Sequence, residues 1–174
     1  SWQPLKNHRG LLVAVASLAE RYPDVHVVCA GRGVSLANPA AAEAIPPSIR
    51  ARVHLLGERG DIASINSALD IATNVSHAEA FPNVVGEAMA CGTPMVVTDV
   101  GDSAWILDGC GEVVPPGDDA ALAGALARLL DMPAEQRQAL GARARQRIID
   151  HFSLESVALS YLREWQALLA HRKG

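Results

Sequence analysis

The chain has 174 residues, 49% hydrophobic but only 4% aromatic, so Ala, Val and Leu must fill a core the size of one ordinary domain. Lys and Arg number 15 against 19 Asp and Glu, a net charge of −4 with no basic block. That balance argues against a nucleic-acid surface, yet it leaves room for a nucleotide held by a few cations and backbone amides.

In chain order, the segment Ser1-Trp2-Gln3-Pro4 runs into a polar Lys6-Asn7-His8-Arg9 and does not resemble a signal peptide. No strand precedes the first helix, so the chain is expected to start partway through a longer polypeptide. Apolar residues at Leu11, Leu12, Val15, Leu18 and Ala19 predict a helix over 9–22, stopped by Pro23. A strand over 25–30 follows, ended by Gly31-Arg32-Gly33, then a broken helical stretch over 40–52 interrupted by Pro46-Pro47. Residues 53–56 read as a short strand, Asp61 as the cap of a brief helix to Ala68, and 70–75 as the next strand. Pro82 fits the first position of a helix running to Cys91, with Gly92 as its stop. Residues 94–98 are the most β-like run, and 112–114 form a last strand. Beyond Asp118, a good N-cap, helices are expected over 119–132, 134–151 and 154–171, the last capped by Ser153.

Repeated β-then-α units with short connections predict an α/β fold: a Rossmann-like, doubly wound parallel sheet with helices on both faces. Without internal repeats or linkers, residues 1–174, including the helices over 119–171, are expected to form one domain. Ligands of such sheets bind outside the carboxyl ends of the strands, which points to residues 31–34, 57–61, 76–84 and 98–103. Cys29, Cys91 and Cys110 are too few and too scattered for a disulfide framework and are expected to be reduced, in a cytoplasmic protein. No apolar run approaches the ~20 residues of a membrane span.

Residues 76–94 carry the chemistry. A loop bearing Glu79 leads into a helix opening near Pro82, whose first free amides, from about Asn83 onward, together with the helix dipole make a ready phosphate site. Glu87, on the second turn, could accept both hydroxyls of a vicinal diol such as ribose; Glu79 could meet hydroxyls on a sugar beyond the phosphates. An acid early in a helix also simply favours the dipole, and Glu-Ala-Met-Ala is ordinary helix-forming sequence, so spacing alone leaves both readings open.

The stretch resembles the E-x7-E signature of retaining GT-B glycosyltransferases of the group 1 type. The matching residues are Ser76, Glu79, Phe81, Pro82, Asn83, Glu87, Ala88, Met89, Ala90, Gly92, Pro94, Val96, Thr98, Asp99, Val100 and Gly101. Lys6-Asn7, Gly31 and Gly33, Gly57 and residues 111–118 extend the match along nearly the whole chain. The resemblance implies the C-terminal, donor-binding half of a GT-B fold, with the N-terminal acceptor domain absent from this chain. It implies that Glu87 binds the donor's ribose and Glu79 contacts the donor sugar. It further implies that the backbone after Phe81, through Pro82, Asn83 and Val84, cradles the β-phosphate, that Lys6 stabilises the departing diphosphate, and that Gly31 and Gly33 face the donor pocket or the interdomain cleft. The implied substrate is a nucleotide-diphosphate sugar, transferred with retention to a polysaccharide or glycolipid acceptor, with no cofactor and no metal. The implied location is the cytoplasm, at the inner face of the membrane only through the full-length protein.

Two positions depart from the pattern. Many members carry Arg five residues before the lysine, and that register falls on Ser1; a non-catalytic nucleotide-binding module with a degraded diphosphate clamp is therefore the alternative reading. Ala80 replaces the usual Gly, which permits unusual dihedrals and close approach. Arg32 is a candidate second cation, and His77 reads as a loop histidine more readily than a catalytic one. Tyr161, Leu162, Trp165, Leu168 and Leu169 share one face of the last helix and are expected to face the core, with contact to the missing domain as the minority reading.

Overall fold

The computed structural model describes residues 1–171. After a 3-10 turn at Pro4–Lys6 come α1 (His8–Ser17), β1 (Val27–Cys29), α2 (Pro39–Glu43), a second 3-10 turn (Pro47–Arg52) and β2 (Val53–Leu55). Next are α3 (Ile62–Ala68), β3 (Ala72–Asn74), α4 (Asn83–Ala90), β4 (Met95–Thr98), α5 (Ser103–Leu107) and β5 (Gly111–Val114). Three helices close the chain: α6 (Asp119–Asp131), α7 (Ala134–Phe152) and α8 (Leu154–His171).

Every strand pairing is parallel, as β-α-β connections require. The strands form two ladders, β1-β2 and β3-β4-β5, and β1 and β3 are not hydrogen-bonded to each other. All four residues of β4 are buried, and their side chains alternate between two cores. Val96 joins α1, α6 and the β1 residues Val27 and Cys29; Met95 and Val97 join α4, α5 and Ala144 of α7. Helices therefore cover both faces, the doubly wound arrangement predicted from the sequence.

Local chemistry adjusts the predicted boundaries. The first helix stops at Ser17, not Tyr22: the Ser17 hydroxyl donates to the Ala14 carbonyl, and residues 18–21 continue as turns. Pro82 is the extended N-cap of α4 (φ −81°, ψ 93°), one position before its expected place. The Asp61 side chain does not cap α3, because Arg59 takes both of its oxygens at 2.8 and 2.6 Å. Asp118 does cap α6, accepting from the Ala121 amide, and Ser153 accepts from the Ser156 amide at the start of α8.

Helix α5 has no counterpart in the sequence reading. It is one turn long, ends in Asp108 at φ 40°, and has its C-terminal carbonyls gripped by Arg147 of α7, which donates to Trp105 and Ile106 and pairs with Asp108. At the α4–α7 crossing Gly141 lies so close to the Gly92 carbonyl that any Cβ would collide with it. The expected core face of the last helix is corrected: Tyr161, Leu162, Trp165, Leu168 and Leu169 are all exposed, because α8 packs mainly against α7 and no second layer of the described residues covers this face. Among the described residues no helix is long and apolar enough to cross a membrane.

Candidate functional site

The site is built where β3 ends. Asn74, Val75 and Ser76 are buried, and the Ser76 carbonyl accepts from the Thr98 hydroxyl of β4 at 2.7 Å, which fixes the start of the loop. From there the Ser76 hydroxyl reaches one carboxylate oxygen of Glu79 at 2.7 Å and the Asn74 amide oxygen at 2.9 Å. One hydroxyl has one proton, so the chain is satisfied when the Asn74 amide donates to Ser76 and Ser76 donates to Glu79.

Two backbone bonds bring distant segments to this loop. The His77 amide donates to the Leu5 carbonyl at 2.8 Å, tying the loop to the first 3-10 turn. The Asp102 amide donates to the Ala80 carbonyl at 3.0 Å, tying it to the turn before α5. Gly101 makes that second approach possible: it has φ 52°, and a Cβ there would strike the carbonyl oxygens of Glu79 and Ala80. Ala80 itself does not adopt a positive φ, so the alanine in place of the expected glycine is accommodated without backbone strain. His77 is an exposed loop residue that contributes its amide.

The first of these ties places Lys6 against Glu79. Its ammonium donates to the same carboxylate oxygen at 2.6 Å, across 73 residues of sequence. Burial raises the Glu79 carboxyl, but hydrogen bonds from Lys6 and Ser76 and the Lys6 charge outweigh it, and the group titrates below the ordinary carboxylate value. His8, two residues further on, is pushed down to about 4, chiefly by burial and also by the Lys6 charge. It is therefore neutral at pH 7.

Helix α4 opens beside this pair with no side-chain cap. The Val85 amide is used by the Pro82 carbonyl, whereas the Asn83 and Val84 amides make no hydrogen bond among the described residues. Lys6, Ser76, Val84 and Glu87 share the wall of one cavity. Glu87 is exposed and has no salt-bridge partner among the described residues. Phe81 and Asn83, together with Glu87, line a second hollow with Trp105, Phe152 and Tyr161, where the Phe81 ring lies 6.3 Å from that of Phe152.

Gly31 and Gly33 lie at the carboxyl end of β1 but do not touch Glu79. They pack around the start of the chain, with Gly33 beside Trp2 and the Trp2 amide donating to the Arg32 carbonyl at 2.8 Å. Sequence reasoning missed Thr98, Gly101 and Asp102 as supports of the Glu79 loop; the Thr-Asp-Val-Gly run was visible, but its target, a pair of backbone carbonyls, has no sequence signature. Among the described residues no group of three His, Cys, Asp or Glu side chains could hold a metal ion. Burial pushes the Cys29 thiol up to about 11, which keeps it protonated and inert.

Residues 1–132 match the family model described as Glycosyl transferases group 1. Phosphatidyl-myo-inositol mannosyltransferase of Mycobacterium leprae is 37% identical over 83% of this chain and 40% of its own length. D-inositol 3-phosphate glycosyltransferase of Corynebacterium urealyticum is 34% identical over 95% of this chain and 41% of its own length. Among solved structures, sucrose-phosphate synthase of Thermosynechococcus elongatus superposes with a TM-score of 0.79 at 27% identity, covering 97% of this chain and 44% of that one. The chain thus spans about 40% of the curated relatives it matches. It belongs to the glycosyl transferases group 1 family and has the fold of one half of a GT-B glycosyltransferase.

Proposed function

We propose that this member of the glycosyl transferases group 1 family is the nucleotide-sugar donor domain, over residues 1–174, of a retaining transferase that builds a glycolipid or polysaccharide. The observation that carries the reading is the meeting of Lys6 and Glu79 at 2.6 Å beside the uncapped mouth of α4. Breaking the bond between an anomeric carbon and a diphosphate puts negative charge on the departing phosphate. A cation and fixed amide dipoles compensate that charge without reorganisation. Lys6 and the free amides of Asn83 and Val84 supply both, and Glu79 is held where a sugar hydroxyl beyond the phosphate would lie.

Glu87 faces the same cavity four residues further along α4, free to accept the two hydroxyls of ribose. Arriving phosphate competes with Glu79 for the Lys6 ammonium, so donor binding exchanges one partner of Lys6 for another. The proposed mechanism calls for no metal ion, and we expect transfer to survive chelation. The relatives' greater length supports an acceptor domain N-terminal to Ser1, and the chain alone should bind donor nucleotide but turn over little of it. We further propose a cytoplasmic protein that meets the inner membrane face only as the whole molecule.

Calorimetric titration of UDP, GDP and ADP and their sugars into the protein tests the reading. One nucleotide should bind preferentially, and Glu87→Ala should weaken it. Absence of binding by every nucleotide, or hydrolysis of donor by the 174-residue chain at ordinary enzymatic rates, would overturn the proposal.

A further inference from the structure

We infer that Asn74 is a positioning residue for Glu79: its side-chain amide commits the single proton of the Ser76 hydroxyl to the Glu79 carboxylate. The inference deepens the proposed function, since it takes Glu79 as the group that meets the donor sugar. It rests on where β3 puts its polar side chains.

Alternation along β3 and the two residues after it sends Ala72, Asn74 and Ser76 to one side and Val75 to the other. On the first side Ala72 packs with Val85, Ala88 and Met89 of α4, while Val75 joins the opposite core cluster. Asn74 and Ser76 therefore occupy an apolar layer, the first 6% exposed and the second 0%. Among the described residues five polar side chains are buried, and three of them, Asn74, Ser76 and Thr98, meet at the root of the Glu79 loop. Burial of polar groups is costly unless they are bonded, and one end of the Asn74 amide has no partner at all. An apolar residue would suit position 74 better for packing alone. Local departures of this kind concentrate where a fold serves a ligand.

The bond directions explain what the amide does there. Ser76 Oγ lies 2.7 Å from a Glu79 oxygen and 2.9 Å from the end of the Asn74 amide. An ionised carboxylate only accepts, and it is a stronger acceptor than an amide oxygen, so the hydroxyl proton belongs to Glu79. The end of Asn74 that faces Ser76 must then be the NH2 group, because an oxygen there would either repel the hydroxyl oxygen or draw its proton away. Thr98 holds the Ser76 carbonyl at 2.7 Å, which leaves the hydroxyl as the movable part. With Asn74 donating to it, that hydroxyl has one direction left for its proton. Lys6 reaches the same carboxylate oxygen from the other side at 2.6 Å, so Glu79 is gripped between a cation and an aligned hydroxyl. Burial raises the Glu79 carboxyl, and the bonds from Lys6 and Ser76 more than offset it; loosening the Ser76 bond returns the group upward.

The test uses the full-length protein and Asn74→Val, which puts a strand-forming apolar side chain into the α4 layer. Thermal stability should hold or rise, while kcat for donor transfer falls about three- to tenfold, the scale of one hydrogen bond, with donor KM little changed. In a Ser76→Ala background the same change should leave kcat where Ser76→Ala alone puts it, because Asn74 acts only through that hydroxyl. If Asn74→Val does not fold, Asn74→Ala is compared in the same two backgrounds through kcat. Unchanged kcat in the folded variant, or an equal loss with and without the Ser76 hydroxyl, would overturn the inference. A second readout needs no donor: the Glu79 carboxyl carbon, followed by NMR, should titrate higher in Asn74→Val than in wild type and be indifferent to that change in Ser76→Ala. Wild-type protein that binds no nucleotide sugar would sink the donor-domain reading, and this titration alone would then decide the role of Asn74, an unmoved Glu79 overturning it.

Discussion

Glu79 and Glu87 sit at the two ends of one motif, and the fold treats them oppositely. Glu79 is half-buried, bonded to Lys6 and Ser76, and held by a loop that Leu5, Thr98 and Asp102 fix from three sides. Glu87 is exposed on the second turn of α4 with no side-chain partner among the described residues. Under the proposed function, Glu79 is the group preorganised before any ligand arrives and Glu87 the one that would gain its partner from the ligand. A carboxylate already wired into a cation and a hydroxyl suits the reacting end, where misplacement is costly. A free carboxylate suits a binding contact that can adjust.

That contrast can be broken, and the largest expected effect is on chemistry at the wired end. In the full-length protein, Lys6→Ala should lower kcat about 10²–10³-fold, the scale for removing one preorganised charge-stabilising group, measured in a donor-transfer assay. A change in KM alone would move Lys6 from leaving-group stabilisation to simple binding. At the free end, Glu87→Ala should weaken the preferred nucleotide by about 1.5–3 kcal/mol, as for hydrogen bonds to a charged group, with kcat at saturating donor little changed. Unchanged affinity would remove Glu87 from the ribose role.

Smaller effects sharpen the account of how Glu79 is held. Gly101→Ala should cost about 1–3 kcal/mol of stability, through strain at positive φ and collision with the Glu79 and Ala80 carbonyls. Thermal unfolding reads that loss, and kcat should fall with it because the Glu79 loop must move. The neighbouring histidine provides a pH test. With its folded value at about 4, below the ordinary 6.5, His8 takes up a proton more readily in the unfolded chain. Stability should therefore fall by about 1 kcal/mol from pH 7 to 5, a figure discounted for partial exposure. His8→Gln should flatten this limb in thermal melts. Ala80→Gly, the change towards the family's usual residue, should shift stability by no more than about 1 kcal/mol, since Ala80 is unstrained as it stands.

Much of this architecture was legible in the residues. Alternating apolar runs and helical periods yielded every strand and every helical segment except α5, because those patterns follow from burial on a sheet covered on both faces. The shortfalls share a cause. α5 is too short to nucleate on its own and exists because Arg147, some forty residues away in α7, holds its last carbonyls. The apolar stripe of α8 has helical spacing whether it faces a core or solvent, and only the packing showed it uncovered.

The sequence by itself determined the helix mouth at residues 82–84 from local spacing, while the two acids on either side of it and Lys6 near the start were singled out by resemblance to the family pattern. Only the tertiary structure decided that Lys6 meets Glu79 rather than Glu87, and that Gly101 rather than Ala80 is the glycine the loop depends on. Those outcomes depend on contacts between segments tens of residues apart, whose distances are fixed by how the layers pack and by no property of either segment alone.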